Sequence, residues 1–478
     1  MTAVCQSRDG GQVRLFTKTR LFLFFAAPLF ILSSSASPLA QGTSAPAPPP
    51  LDGATRRRVV ENIVGELRAR YVLPEAVKGM EEHLRAKLRT GAYDAATDAG
   101  RFAAALTQDL REASKDSHLF VTYDPEMEKA LASFHPGPSS ELQELPPSAG
   151  RLDEWRQGNY GFAKVEVLSG NVGYLELREF VDLNYSREAA AAAMNFLSNT
   201  DAVVIDLRHN HGGFINLKNF LISYFYGVDP VELVSRYHRD DNVTVREWSL
   251  REVPGRRLTG ADLYILTSPE SASAAEGFPF ILQLRKRAKV IGEKTAGANY
   301  GNKETAVGGG FILYVSVFRQ FDPRTGRDWQ GVGVQPDMEV TAARAFEVAH
   351  SEAVKALAAK ASDERRRRRL SWLVPLLGLK ADGEKVVPAP LLASYAGKYD
   401  DGRISITLEQ GRLSFLGASG VPRRLLALAD DYFLVEDESV VPENQARVRF
   451  VQAPGGAVTE LRLMVRDGRE FPRPRTKQ

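Results

Sequence analysis

Three short segments of this 478-residue chain carry side chains whose types and spacing could do chemistry. The first is LTSPESASAAE, residues 266–276, where Ser271 and Ser273 stand among small residues. An apolar run, Leu263 to Leu266, precedes the turn at Ser268-Pro269-Glu270, and Glu276, Phe278, Phe280, Ile281 and Leu284 follow at helical spacing. Strand, sharp turn and a hydroxyl at a helix start expose a serine to a substrate, with the helix N–H groups and dipole facing the attacked group. The N–H after the serine can help hold an oxyanion. Either serine would equally serve as a plain helix cap. The second segment is Asp206-Leu207-Arg208-His209-Asn210-His211-Gly212-Gly213, at the end of a buried apolar run. Loops at the C-terminal ends of strands are where α/β sheets place sites, and a Gly-Gly pair lets a backbone N–H approach a ligand oxygen. The third is Ser117-His118. A serine needs a base near neutral pH, and His118 has the right intrinsic pKa. His209 and His211 are rivals by residue type; their spacing would suit a metal pair, but no third ligand stands nearby in sequence, so no metal is expected.

The elements that must position these segments follow from periodicity. Val59, Val60, Ile63, Val64 and Leu67, then Met80, Leu84 and Leu88, then Phe102, Ala105, Leu106 and Leu110 mark a small helical bundle over 51–119. The chain turns to a strand within 114–125, and a polar, Pro-rich stretch spans 136–150. Residues 171–180 are strand-like, 187–198 an Ala-rich helix, 202–207 a buried strand of a mostly parallel sheet, and 216–226 a helix. With the 263–266 strand, its helix and a strand at 289–291, this alternation means an α/β core over 120–350. A helix is expected over about 341–373, with Arg365 to Arg369 as a solvated face, and 351–384 is assigned as a helical linker. Residues 385–478 show short alternating runs separated by turns, the pattern of an all-β barrel or sandwich.

Composition narrows the class. The formal charge is +3, so no basic field invites nucleic acid and no acidic tract suggests a disordered tail. Arg14, Lys18 and Arg20 precede an apolar run from Leu21 to Leu32 and then SSSASPLAQG, the order of a secretory signal peptide over 1–40; an uncleaved anchor is the alternative. A Pro/Ala/Ser linker occupies 41–50. Export to a periplasm or outside the cell is expected. Cys5 lies inside the leader, so the mature chain would have no disulfide, thiolate nucleophile or cysteine metal site.

Six ordered motifs carry a resemblance: KDSHL at 115–119, GNVGYLEL at 170–177, VVIDLRHNHGG at 203–213, LTSPESASAAE at 266–276, VIGEKTAGA at 290–298 and GVGVQPDMEV at 331–340. Over about 55–350 the chain resembles the S41 family of serine peptidases, in the branch with tricorn-type cores and interphotoreceptor retinoid-binding protein modules. The resemblance implies a crotonase/ClpP-like α/β core behind the helical bundle, and no cofactor. It places the nucleophile on Ser273, with Ser271 as runner-up, and the Ser-His pair on Ser117-His118, His118 taking the proton of Ser273. The oxyanion donors fall on the N–H of Ala274 and of Gly212 or Gly213, with Asp206, Arg208, Asn210 and Glu276 around them. Departures are visible. The lysine base of the processing peptidases falls on Ala298, with Lys303 out of register; the acid before the GVGV motif is Gln330, with Glu304 as a spatial substitute; and no PDZ domain fits between 120 and 165.

The function implied is hydrolysis of peptide bonds through an acyl-enzyme on Ser273, with peptides or proteins as partners; envelope association and a homo-oligomer stay open. The alternative, motivated by Ala298 and Gln330, is a catalytically weak or inactive S41-fold module that binds an apolar ligand. Residues 392–415 and 432–437 weakly resemble lipocalin-like domains appended to bacterial serine hydrolases.

Overall fold

A computed structural model describes residues 51–133 and 146–477. The leader and linker expected over 1–50 lie outside the described residues, as does much of the Pro-rich stretch.

Three helices open the described chain: α1 (Gly53–Arg70), α2 (Pro74–Arg89) and α3 (Ala99–Ser114). Their starts follow local chemistry. The Asp52 carboxylate accepts the Thr55 N–H at 2.7 Å, Pro74 opens α2, and Asp98 accepts the Arg101 N–H at 2.9 Å. Val59, Ile63, Leu67, Met80, Leu84, Phe102 and Leu106 form the core between them. Three short helices have too little surface to close a core alone; theirs continues into Val307, Phe311, Leu313 and Val315 of a sheet far along the chain.

The chain then runs through β1 (Phe120–Tyr123), α4 (Pro125–Ser133), α5 (Ala149–Gln157), β2 (Phe162–Leu168), β3 (Val172–Leu177), α6 (Leu183–Leu197), β4 (Ala202–Asp206), α7 (Ile215–Ser223), β5 (Glu232–His238), β6 (Val243–Trp248), β7 (Asp262–Thr267), α8 (Ala274–Leu284), β8 (Ala288–Gly292), β9 (Gly301–Gly308), β10 (Phe311–Phe321) and β11 (Met338–Glu339). Two sheets result. The larger has the order β11-β8-β7-β4-β3-β2, parallel except for the β2–β3 pair. Strand β4 shows why it is buried on both faces: Val203 and Ile205 point to α6, α7 and α8, while Ala202 and Val204 point the other way. This is the α/β core expected. In the second sheet β10 pairs with β1, β5 and β9, and β6 extends it; β5, β6, β9 and β10 are additions to the sequence-based expectation.

The helix expected over 341–373 is two helices, α9 (Ala342–Lys360) and α10 (Glu364–Asp382). The break comes where Asp363 caps α10, accepting the Arg366 N–H at 2.7 Å. Both helices cover the open face of the larger sheet, with Ala345, Ala349, Ala353, Leu370 and Leu373 against Val204, Tyr264 and Leu266. In the arginine run, Arg366 pairs with Asp201 at 2.8 Å and Arg367 with Glu364 at 3.0 Å.

After α11 (Ala389–Tyr395), eight antiparallel strands from β12 (Gly397–Tyr399) to β19 (Glu470–Pro474) follow in sequence order. The Thr476 N–H reaches the Lys398 carbonyl at 2.8 Å, which brings the last strand back to the first and nearly closes a barrel. Tyr395 stacks on Phe450 inside it, with ring centroids 4.1 Å apart.

Candidate active site

Strands β4 and β7 lie side by side in register, Asp206 opposite Leu266, so the loops leaving their C-terminal ends meet. Two serines of the β7–α8 turn have different fates there. Ser271 is fully buried; its hydroxyl donates to the Leu207 carbonyl at 2.8 Å and accepts the Ser268 N–H at 3.0 Å. That hydroxyl ties the two loops together and is committed. Ser273 is half-buried at the start of α8, with φ +56° and ψ −119°. A side-chain-bearing residue avoids this region at a cost of about 1–3 kcal/mol, and surroundings must over-determine it to hold it there. They do. The Ala272 N–H donates to the Asn210 carbonyl at 3.2 Å, Ala296 N–H to the Ser271 carbonyl at 3.0 Å, and Ser273 N–H to the Glu276 carboxylate at 2.9 Å.

Glu276 is the hub of this corner. It is fully buried and accepts four donors: Ser273 N–H, the Thr295 hydroxyl at 2.6 Å, Gly297 N–H at 2.6 Å and Ala298 N–H at 2.8 Å. Burial pushes its carboxyl above the ordinary range, against the pull of those donors. It clamps the loop at 295–298 to the start of α8. Ala298, where the processing peptidases would carry lysine, is part of that clamp, and its carbonyl accepts the Trp329 indole N–H at 3.1 Å.

The glycine pair lies against the serine. Gly212 has φ +105°, and a Cβ there would stand 2.7 Å from Ser273 Cβ and 2.8 Å from the Ala272 carbonyl oxygen, so no other residue fits without a shift. Gly212 N–H donates to the Asn210 side-chain oxygen at 2.8 Å, which removes it as an oxyanion donor. The exposed Gly213 N–H and the Ala274 N–H have no acceptor among the described residues. Asn210, fully buried, also donates to the Leu177 carbonyl at 2.9 Å, anchoring the loop to β3.

Asp206 and Arg208 bond each other and not the serine. The Asp206 carboxylate accepts the Tyr174 hydroxyl and the Arg208 guanidinium, each at 2.7 Å, and Arg208 reaches the Ala342 carbonyl at 2.6 Å. Burial raises the Asp206 carboxyl, but Arg208 and Tyr174 outweigh it and hold it below the ordinary range. The pair braces the end of β4 against α9. His209 is exposed and bonds Glu270 at 2.9 Å; His211 is exposed.

His118 follows α3 through Lys115, which ends the helix at φ +58°. Asp116, fully buried, accepts the Ser316 hydroxyl at 2.6 Å, the Tyr71 hydroxyl at 3.3 Å and the His118 N–H at 2.9 Å. The half-buried imidazole is less firmly placed, for its Nδ1 is buried without a hydrogen-bond partner. Burial holds His118 below the ordinary histidine value; Asp116 opposes this and Arg111 adds to it. No hydrogen bond joins the imidazole to Ser273 among the described residues. One segment links their surroundings: Asn302, at the start of β9, donates to the His118 backbone carbonyl at 3.1 Å, and the Ala298 N–H, four residues earlier, donates to Glu276. Four residues span at most about 14 Å. Ser117 is exposed. Gln330 turns its side-chain oxygen to the Asn299 N–H at 2.7 Å, and Glu304 lies on β9 opposite Tyr314 with no hydrogen bond or ion pair to His118 among the described residues.

Comparison with known proteins places the chain. The family model described as peptidase family S41 matches residues 171–340, and that of the N-terminal domain of Peptidase_S41 in eukaryotic IRBP matches 54–154. Residues 171–340 form a peptidase family S41 domain. Within S41, the carboxyl-terminal-processing protease of Synechocystis sp. is 26% identical over 207 residues, covering 41% of this chain and 42% of that protein. A probable CtpA-like serine protease of Staphylococcus haemolyticus is 25% identical over 170 residues, 36% of this chain and 33% of that one. This S41 chain therefore spans less than half the length of these curated relatives. Among solved structures, a lipoprotein from Streptococcus agalactiae is similar at a TM-score of 0.42 and 14% identity, over 66% of this chain and 99% of that one.

Proposed function

We propose that this S41 chain is an exported serine-type peptidase that cleaves peptide bonds through an acyl-enzyme on Ser273. One observation carries the reading: Ser273 is held at a left-handed backbone angle against Gly212, beside the unoccupied N–H groups of Ala274 and Gly213. The family and its processing-protease relatives support the reaction class. In this reading Ser273 Oγ attacks the peptide carbonyl. The carbonyl oxygen becomes an oxyanion held by Ala274 and Gly213 N–H, donors already in place and needing no reorganisation. His118 receives the Oγ proton and returns it to the leaving amine. A ring held below the ordinary histidine value is neutral at neutral pH, the form that can accept a proton. Water then hydrolyses the acyl-enzyme by the same route. No step is assigned to Ser117. The leader-like 1–40 segment supports export, and peptides or proteins of the envelope are the substrates it would meet.

The test is a fluorophosphonate probe on the folded protein with peptide mapping of the adduct. Labelling confined to Ser273, lost in Ser273→Ala, is expected; labelling elsewhere, or none, sinks the proposal. The second reading, an inactive module holding an apolar ligand, is favoured by one observation: the Gln330 side-chain oxygen is turned to the Asn299 N–H, and the His118 ring Nδ1 has no hydrogen-bond partner. An unlabelled protein with co-purified lipid would select it.

A further inference from the structure

A charged pair lies beneath the proposed nucleophile and takes no part in the chemistry described above. Lys218 on α7 is fully buried. Its Nζ donates to the Gln320 side-chain oxygen at 3.2 Å and stands 3.6 Å from the Glu247 carboxylate. Glu247, on β6, is also buried; it accepts the Gln320 side-chain N–H at 2.7 Å and the Asn219 side chain at 2.9 Å, with Arg236 at 3.4 Å. Removing an ammonium and a carboxylate from water is costly, and a pair of apolar residues would pack a core as well. The placement therefore asks what the charges hold.

They hold the Gln320 amide. Its oxygen faces an ammonium and its nitrogen a carboxylate, so the side chain has one orientation. The Gln320 backbone in turn grips Asn299: the Asn299 side chain donates to the Gln320 carbonyl at 2.8 Å and accepts the Gln320 N–H at 3.3 Å. Asn299 directly follows Gly297 and Ala298, whose N–H groups donate to Glu276, and Glu276 accepts the Ser273 N–H. Contact is also direct. A Cβ at Gly277, on the first turn of α8, would lie 3.3 Å from Lys218 Cδ and 3.5 Å from the Gln320 side-chain oxygen. The helix that presents Ser273 rests on this group with no spare space.

We infer that the Lys218–Glu247 pair is a positioning element for Ser273, acting through the Gln320 amide and the Asn299 loop. The inference rests on the assignment of Ser273 as nucleophile for its activity readout, so the test has two arms. In the first, the rate of Ser273 phosphonylation by a fluorophosphonate is measured on full-length Lys218→Met, Glu247→Gln and Gln320→Leu. A drop of about tenfold in each is expected, in line with coupling through packed networks. Lys218→Arg, which keeps the charge and the donor, is expected to recover most of the Lys218→Met loss. The second arm reads hydrogen exchange at Gly297 and Ala298 and does not depend on activity. Their exchange should rise about tenfold in Lys218→Met, while the amides of β4 keep their protection. Gln320→Leu leaves both charges in place and serves if Lys218→Met does not fold. Wild-type labelling rates in folded variants, or protection lost equally across β4 and the 297–298 amides, would overturn the inference. An unlabelled wild type would count against the peptidase reading alone, and the exchange arm would then decide this one.

Discussion

Around Ser273 the backbone is fixed from several sides: Asn210 holds Ala272, Glu276 holds Ser273, and Ser271 binds Ala296 and Leu207. Around His118 the main chain is held by Asp116 and Asn302, yet the ring Nδ1 has no partner. In the proposed reading, the nucleophile and its oxyanion donors are thus built into the resting fold, and the base is not. A site divided this way meets its substrate with the electrostatic part preorganised and with one side chain still to be oriented, as resting catalytic hydrogen bonds often are. Damage on the nucleophile side should therefore remove activity at every pH, whereas damage on the base side should show itself through pH.

The largest effect is expected from Ser273→Ala, with labelling abolished and peptide hydrolysis down by at least about a thousandfold; a labelled Ser273→Ala protein would break the comparison at its root. Next is His118→Ala, with a loss of roughly 10²–10⁴ in the labelling rate at neutral pH. The wild-type rate should persist as pH falls past about 6.5 and decline only below it, because burial holds the ring under its ordinary value. Stability follows the same sign. The fold favours the neutral ring, so its contribution is full above about pH 6.5 and drains away as pH falls through the lowered folded value. A pH–rate profile bending at or above 6.5 would show that the base is not this buried ring.

Glu276→Ala probes the nucleophile side through its hub. Four donors lose their acceptor at once, and a loss on the order of 3 kcal/mol is expected in urea unfolding; an unchanged midpoint would mean that water replaces the carboxylate without cost. Ser271→Ala should cost about 1–2 kcal/mol for its buried bonds and leave labelling within roughly threefold, since its hydroxyl is committed to Leu207. Abolished labelling there would reverse the roles of the two serines. Ser117→Ala should be smallest, roughly twofold in labelling, as expected of a solvent-facing side chain; a large loss would give Ser117 a place in the proton path.

Much of this architecture was legible in the sequence, for reasons that act over a few residues. Apolar spacing marks α1 to α3 because 3.6-residue periodicity is local, and the continuous run at 202–207 marks a strand buried on both faces. The turn before α8 showed a serine at a helix start by its small residues and its acid three positions on. The one long helix expected over 341–373 missed its break because the cap at Asp363 is a single residue inside a helix-favouring composition. The fully buried Lys218 gave no signal at all, since its α7 neighbours read as an ordinary helix.

Local patterns in the chain were enough for the helical bundle, the alternating α/β core, the C-terminal β region and the small set of residues from which a serine site can be built. Tertiary structure alone decided which of them hold which place. Ser271 was set apart from Ser273 by a carbonyl 64 positions away, Gly213 from Gly212 by the side chain of Asn210, and Lys218 was joined to Gln320 across 102 residues. Periodicity and turn chemistry act through neighbours in the chain, but the availability of an N–H or a hydroxyl depends on every acceptor that packing brings near it.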